Sequence, residues 1–291
     1  MTRGAKKFYP YTFTYPALLI YAVFFIIPTL CGFYFSFTNW NIELEKINFV
    51  GLENFGYLFQ NEYFQLALRN TVIFALVTSV LKVGFGFLLA LATNRNFISK
   101  NYLRTVFYMP GVLSIIVVGI MFSSIFRMEG MLNNFIHLLG AKNWTIDWLG
   151  NPKTALGCVM SLEIWKWSGL CMAIFLAGLQ TIPKELYESA AIDGASAWRR
   201  LRHITVPMIM PAFTINIVIN LIGGFKVFEP VFVLTSGGPG HMTQVLNTMV
   251  FQAFSEGTYG RGTAMGMILF LLTAVISISV VKVLRKKEVE I

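Results

Sequence analysis

Apolar residues fall in long blocks separated by short polar stretches. Six blocks reach the roughly 20 mostly apolar residues that a helix needs to cross a hydrocarbon core. They are residues 15–37, 70–93, 105–126, 155–180, 208–234 and 262–284, and each is read as a transmembrane helix. The first block, with Arg3, Lys6 and Lys7 before it, has the outline of a signal peptide. Its apolar run is too long for one and no small-residue cleavage site follows, so it counts as a span. No internal repeat, low-complexity linker or soluble domain interrupts the pattern. The expected fold is all-α, one six-span membrane domain over residues 1–291.

Between the fourth and fifth spans lies the most polar long segment, "ELYESAAIDGASAWRRLRHITVP", residues 185–207. Pro183 suits a first helical position, and Glu185 and Glu188 place negative charge near the positive end of a helix. Asp193-Gly194 breaks that helix, because glycine enters the left-handed region freely. Ser196 is placed to cap a second short helix that runs to about Thr205, ahead of Pro207. Ala190, Ala191 and Ala195 keep the elbow thin enough for another surface to approach. Two uses fit this helix–elbow–helix: an interfacial helix among lipid headgroups, or a docking element for a partner.

Charge sets the orientation. Only 13% of residues are charged, against about 25% in soluble domains. The formal net charge of +9 is concentrated in four regions that six spans place on one side. These are the N-terminal tail, the loop with Arg95, Lys100 and Arg104, the segment with Lys184, Arg199, Arg200 and Arg202, and the tail "KVLRKKEVEI". The other loops are acidic or mixed, with Glu43, Glu45, Glu53, Glu62 and Asp147. The positive-inside rule puts both termini and residues 181–207 in the cytoplasm. The basic excess is thus a topology signal and not a nucleic-acid footprint. Cys31, Cys158 and Cys171 lie in apolar runs and match neither a disulfide framework nor a zinc site. His137, His203 and His241 are scattered over loops, without a catalytic serine–histidine–aspartate grouping. No G-x-x-x-x-G-K-[ST] phosphate loop occurs, and "GGFKVFEP" has neither its spacing nor its hydroxyl residue. No catalytic, cofactor or metal site is therefore expected on the chain.

Five charged residues lie well inside the spans, away from their ends: Lys82, Glu163, Lys166, Lys226 and Glu229. Each costs about 2.5–3.5 kcal/mol at a helix centre on insertion scales and usually faces a bundle interior or a wet cavity. Glu163 with Lys166, and Lys226 with Glu229, are three apart and share a helix face. They suit either self-compensating ion pairs or a polar path. Glu163 and Trp167 share a face, as do Asn216 and Asn220, whereas Trp165 and Trp167 point apart. Carboxylates, amides and an indole are suited to sugar hydroxyls and ring faces. Gly223-Gly224 and Pro230 are expected to break the fifth span beside Lys226 and Glu229, where unwound backbone is tolerated only against protein or water.

One motif ties these features together. Glu188-Ser189-Ala190, three residues, Gly194, nine residues and Ile204-Thr205-Val206-Pro207 resemble the loop signature of permease subunits of bacterial binding-protein-dependent ABC importers. There the pattern is Glu-Ala-Ala, Gly and Ile-x-Leu-Pro at the same spacing; Ser189 and Val206 depart from it while keeping the size class. "FVGLENFGYLFQNEYFQLALRNTVIF", "LTSGGPGHMTQVLNTMVFQAF" and "YGRGTAMGMILFLL" are similar to the first permease of maltose and glycerol-phosphate importers. The resemblance implies a type I importer permease fold in the bacterial cell membrane, carrying an oligosaccharide or related sugar. It makes residues 184–205 a coupling helix, with Glu188, Ala190, Asp193, Gly194, Ala195, Ile204 and Pro207 as coupling residues. The substrate path would use Glu163, Trp167, Asn216, Asn220, Lys226 and Glu229. Implied partners are a second, different permease, two cytoplasmic ATP-binding subunits that hold ATP and magnesium, and an extracellular solute-binding protein on loops 38–68, 127–154 and 235–261. The rivals are an ion-coupled secondary transporter, which would be expected to show inverted repeats, and a membrane scaffold, which needs no charges in mid-span.

Overall fold

The computed structural model describes residues 11–43, 46–95, 97–141 and 144–286. Arg3, Lys6, Lys7, Glu45 and residues 287–291 of the basic tail lie outside the described residues. In chain order the helices are α1 (Tyr15–Phe35), α2 (Glu53–Gln60), α3 (Glu62–Thr93), α4 (Lys100–Val112), α5 (Ile115–Phe126), α6 (Met131–Leu138), α7 (Ala155–Gln180), α8 (Lys184–Ile192), α9 (Ala197–Met208), α10 (Met210–Phe225), α11 (Glu229–Leu234), α12 (Leu246–Ser255) and α13 (Tyr259–Arg285). Among the described residues there is no strand, only an isolated bridge between Thr38 and Phe49. α1, α3, α5 with α6, α7 and α13 are each long and apolar enough to cross a membrane. α9 and α10 qualify together, bent by 66°. The chain divides into two compact units, Met1–Asn61 with Val250–Ile268 and Glu62–Met249 with Leu269–Ile291.

In the first unit, α1 buries none of its apolar window. Such a helix is stable only where lipid replaces water, because hydrocarbon carries no penalty for exposed apolar side chains. The loop after α1 is tied down by polar groups. Asn54 of α2 is buried and its amide donates to the carbonyls of Ser36 (2.9 Å) and Thr38 (2.8 Å). The Ile42 N–H donates to Gly257 O and the Gly260 N–H to Trp40 O. Trp40 packs between Phe35 and Tyr259, with ring centroids 4.4 and 4.8 Å away.

In the second unit, α7 is the axis. Small residues let its neighbours approach, the usual solution where helices associate by packing without a hydrophobic driving force. A Cβ on Gly169 would collide with the Phe107 carbonyl of α4, and one on Gly86 of α3 would collide with Cys171 of α7. Val83, Met172, Phe175, Leu179 and Ile209 form a buried cluster. The Phe175 ring meets Phe213 edge-on at 4.6 Å. The carbonyl of Thr93 at the end of α3 accepts from Arg104 Nη2 at 2.8 Å. Loops are pinned by buried asparagines. Asn133 donates to Met128 O and Ile146 O, and accepts from Ile146 N–H and Trp148 Nε1. Asn70 donates to Met242 O and Gln244 O.

Two predicted spans are interrupted. The block 105–126 breaks between α4 and α5, where Leu113 and Ser114 are extended (ψ 145° and 137°). Pro110 in the last turn of α4 removes a helical donor and crowds the preceding turn. The block 208–234 breaks at Lys226–Phe228, between α10 and α11, within the stretch bracketed by Gly223-Gly224 and Pro230.

Candidate functional site

A cavity of about 400 Å³ opens in the second unit beside the break after α10. Its polar lining comes from Lys82 of α3, Glu163, Lys166 and Trp167 of α7, Asn220 of α10, Lys226 at the break and Glu229 at the start of α11. Ile115, Leu170, Ile219 and Phe228 supply apolar wall. The buried charges are compensated from other helices. Lys82, only 2% exposed, forms an ion pair with Glu163 across α3 and α7 at 3.1 Å. Lys166 donates to the carbonyls of Pro110 (3.2 Å) and Gly111 (3.4 Å), and to that of Leu113. These carbonyls lie at the C-terminal end of α4, so the ammonium caps a helix C-terminus, where a cation is favoured. Its charge also lies 5.2 Å from the Trp167 ring. Lys226 and Glu229 are different: both are exposed, they form no ion pair with one another, and both line the cavity.

Of the two alternatives, the self-compensating pairs are not formed: Glu163 and Lys166 are held by two cross-helix arrangements, and Lys226 makes no ion pair with Glu229. Asn216 does not line the cavity. It is fully buried, donating to Ala212 O at 3.1 Å, with its Oδ1 unpartnered. Asn220 lines the wall with its amide held by Asn216 O (2.8 Å) and Cys171 Sγ (3.1 Å). Trp165 points away from Trp167, 42% exposed and packed on Phe122.

The polar segment forms α8, an elbow and α9. Pro183 is the N-cap of α8, not its first helical residue. The elbow is a Schellman motif: Ala195 N–H donates to Ala190 O (2.9 Å) and Gly194 N–H to Ala191 O (3.1 Å). Gly194 is left-handed, φ +68°. Ser196 Oγ caps α9 by accepting from Arg199 N–H at 3.3 Å. Tyr187 Oη and Thr205 Oγ1, 2.9 Å apart, tie the two helices. Ile204 packs on the buried cluster beneath. Glu188, Asp193, Ile192 and Trp198 are exposed, Ile192 at 88% and Trp198 at 70%.

Residues 82–288 match the family of binding-protein-dependent transport system inner membrane components. The chain belongs to that family. It is 33% identical over 296 aligned positions to the probable starch degradation products transport system permease protein of Thermoanaerobacterium thermosulfurigenes, with all of both chains covered. It is 36% identical to the arabinooligosaccharides transport system permease protein of Bacillus subtilis, covering 94% of this chain and 88% of that one. It also resembles a chain of a solved bacterial ABC transporter involved in the import of the acidic polysaccharide alginate. There the TM-score is 0.83, with 26% identity, 95% of this chain and 94% of that one covered. A structure of the alginate transporter in complex with an alginate pentasaccharide-bound periplasmic protein matches with TM-score 0.82 and 25% identity, covering 93% and 91%.

As an ABC permease, the chain is a membrane transport subunit, which removes the secondary-transporter and scaffold readings. In this permease Glu163, Trp167, Asn220, Lys226 and Glu229 meet around one cavity, and Asn216 stays in the packing behind it. Lys82 as the partner of Glu163, and Lys166 as the cap of α4, were missed. The signal for the first was charge balance: an isolated lysine and a carboxylate in two neighbouring spans need each other in hydrocarbon. The second had no signal, because carbonyl acceptors exist at every residue.

Proposed function

We propose that this permease carries an oligosaccharide or related sugar, handed over by an extracellular solute-binding protein, with ATP hydrolysed on two cytoplasmic subunits. The observation that carries the reading is the cavity beside the break after α10. It sets a cation, Lys226, and an anion, Glu229, neither in a salt bridge among the described residues, beside the Trp167 indole and the Asn220 amide. Hydroxyls donate and accept at once, and a sugar ring presents C–H faces to an aromatic wall, so such a ligand satisfies every group there. The cavity lies within the size range of small-molecule sites, about 300–1,000 Å³. The names of the relatives, which concern starch products and arabinooligosaccharides, agree with it. A second, different permease would complete the path.

On this reading, both termini and the α8–α9 segment are cytoplasmic, and the ATP-binding subunits dock on α8 and the elbow. Glu188, Asp193 and Gly194, with the uncovered Ile192 and Trp198, form the docking face. Ala190 and Ala195 keep it thin, and Ile204 and Pro207 anchor it to the membrane helices. Closure of the ATPases would be transmitted through this contact. ATP and magnesium belong to those subunits, and loops 38–68, 127–154 and 235–261 meet the solute-binding protein.

The test is uptake by the reconstituted importer at limiting substrate. Trp167→Ala and Glu229→Gln should each lower uptake about tenfold while the complex still assembles, the loss of roughly one hydrogen bond to a charged partner or one ring contact. Wild-type uptake by both variants would remove the cavity from the path. Glu163→Ala is not a clean probe, because it strands the Lys82 charge.

A further inference from the structure

The unit formed by Met1–Asn61 and Val250–Ile268 holds a cavity of its own, about 300 Å³, none of whose lining residues belongs to the translocation cavity. Asn39, Trp40, Asn41, Glu53 and Arg261 line it. Its walls are fixed before any ligand arrives. The N–H groups of Ile42 and Gly260 bond across to Gly257 O (2.9 Å) and Trp40 O (2.8 Å), and Asn54 ties the loop from behind.

The polar side chains are oriented, and part of their bonding capacity has no protein partner among the described residues. Asn39 Oδ1 accepts from Asn48 N–H at 2.8 Å, and Asn41 Oδ1 from Glu43 N–H at 3.0 Å. Those bonds set the amide planes and leave both NH₂ groups without a partner among the described residues. Arg261 lies over the Tyr57 ring, 3.8 Å from its centroid, and pairs with no carboxylate among the described residues. It stands in the first turn of α13, where the helix dipole disfavours a cation, so helix stability does not account for it. The Glu53 carboxylate is exposed and equally unpaired among the described residues.

We propose that this pocket is a carbohydrate-binding site on the outer face, sized for one sugar ring. Asn39, Asn41 and Arg261 donate to hydroxyls, Glu53 accepts from them, and Trp40 walls the C–H face. The pocket lies on loops that the solute-binding protein is proposed to meet, so it stands where a released sugar would first touch the permease. A polyol satisfies both signs. The proposal rests on the sugar reading and on loop 38–61 being outside.

The test is equilibrium binding of radiolabelled maltotriose, arabinotriose and a mannuronate trimer to the assembled complex in nanodiscs, without solute-binding protein. Asn41→Ala combined with Arg261→Gln should weaken saccharide binding about tenfold or more, the loss of one to two hydrogen bonds. Arg261→Lys should be intermediate, and the loss in the double variant should persist in a Trp167→Ala background, where the contribution of the translocation cavity is weakened. If the double variant fails to assemble, Asn41→Ala alone gives the readout, with a several-fold loss expected. Unchanged saccharide affinity in the variants, with sugar uptake by the wild-type importer intact, overturns the site and leaves the sugar reading standing. A loss confined to stimulation by the solute-binding protein makes the pocket a protein contact and also overturns it. If none of the three saccharides binds and a complete importer takes up no sugar, both readings fall.

Discussion

The Lys82–Glu163 pair is held between two helices in a setting where a lone charge has no water to turn to. Removing one partner of a buried pair typically costs about 3–5 kcal/mol, whereas replacing both with apolar groups of similar volume is often neutral. Lys82→Met and Glu163→Leu should therefore each reduce thermal stability and yield of the complex, and the double substitution should recover most of both. A double variant as unstable as the worse single one would mean the two charges are held independently. Lys226 and Glu229 should behave in the opposite way. They do not pair, so neither substitution strands the other as a lone buried charge, and the double variant Lys226→Met plus Glu229→Gln should not be milder in uptake than either single change. These residues mark how far the sequence could be read. Charges in an apolar block are conspicuous, so every ionisable residue of the cavity could be singled out. Helical spacing compares a residue only with its own helix, and so it paired Glu163 with Lys166 when the true partner was on α3. It also set Asn216 beside Asn220 on one face without registering that the next helix covers the first of them.

The α8–α9 elbow depends on one backbone conformation. Gly194 sits at φ +68°, and a Cβ added there would meet nothing within 4 Å. The strain from a side chain is thus conformational, about 1–2 kcal/mol for an ordinary residue, and small for asparagine. Gly194→Asn should support near-normal substrate-stimulated ATPase activity if conformation is the only requirement. Gly194→Leu should reach the membrane normally and abolish the stimulation. Equal and full stimulation in both variants would demote the elbow to an interfacial helix. Removing the cap with Ser196→Ala should cost about 0.5–2 kcal/mol locally, visible as faster amide exchange in α9. This element was legible almost residue by residue, because caps and a glycine break act over a few positions. The slips, Pro183 at the cap instead of inside it and α9 continuing through Pro207 to Met208 instead of ending near Thr205, are of the size at which helix ends blur. The interruptions of the longer helices were harder. Gly223-Gly224 and Pro230 signalled the break after α10, whereas the break at Leu113–Ser114 is completed by a lysine from another helix.

For the chain as a whole, the proposed orientation can be checked directly. In a background without native cysteines, a cysteine at exposed His241 should react with an impermeant thiol reagent in intact cells, and one at exposed Ser196 should react only after lysis. The reverse pattern would overturn the orientation and the docking role of α8 together. Hydropathy and charge asymmetry were sufficient to propose six spans and a direction. They were silent on what the spans enclose, since lipid-facing and buried apolar positions look alike in composition: α1 buries none of its window, whereas α7 buries 56%. The glycine contacts of α7 have a mechanical consequence. With the backbone of α4 seated against Gly169, and Cys171 against Gly86 of α3, these helices have no clearance to slide past one another. On this geometry the three helices would move as one girder in a transport cycle, with the travel taken at three joints: the breaks Leu113–Ser114 and Lys226–Phe228 and the 66° bend into α10. Two of the three joints adjoin the cavity, so small rotations there would change the volume offered to a sugar while the girder stays still.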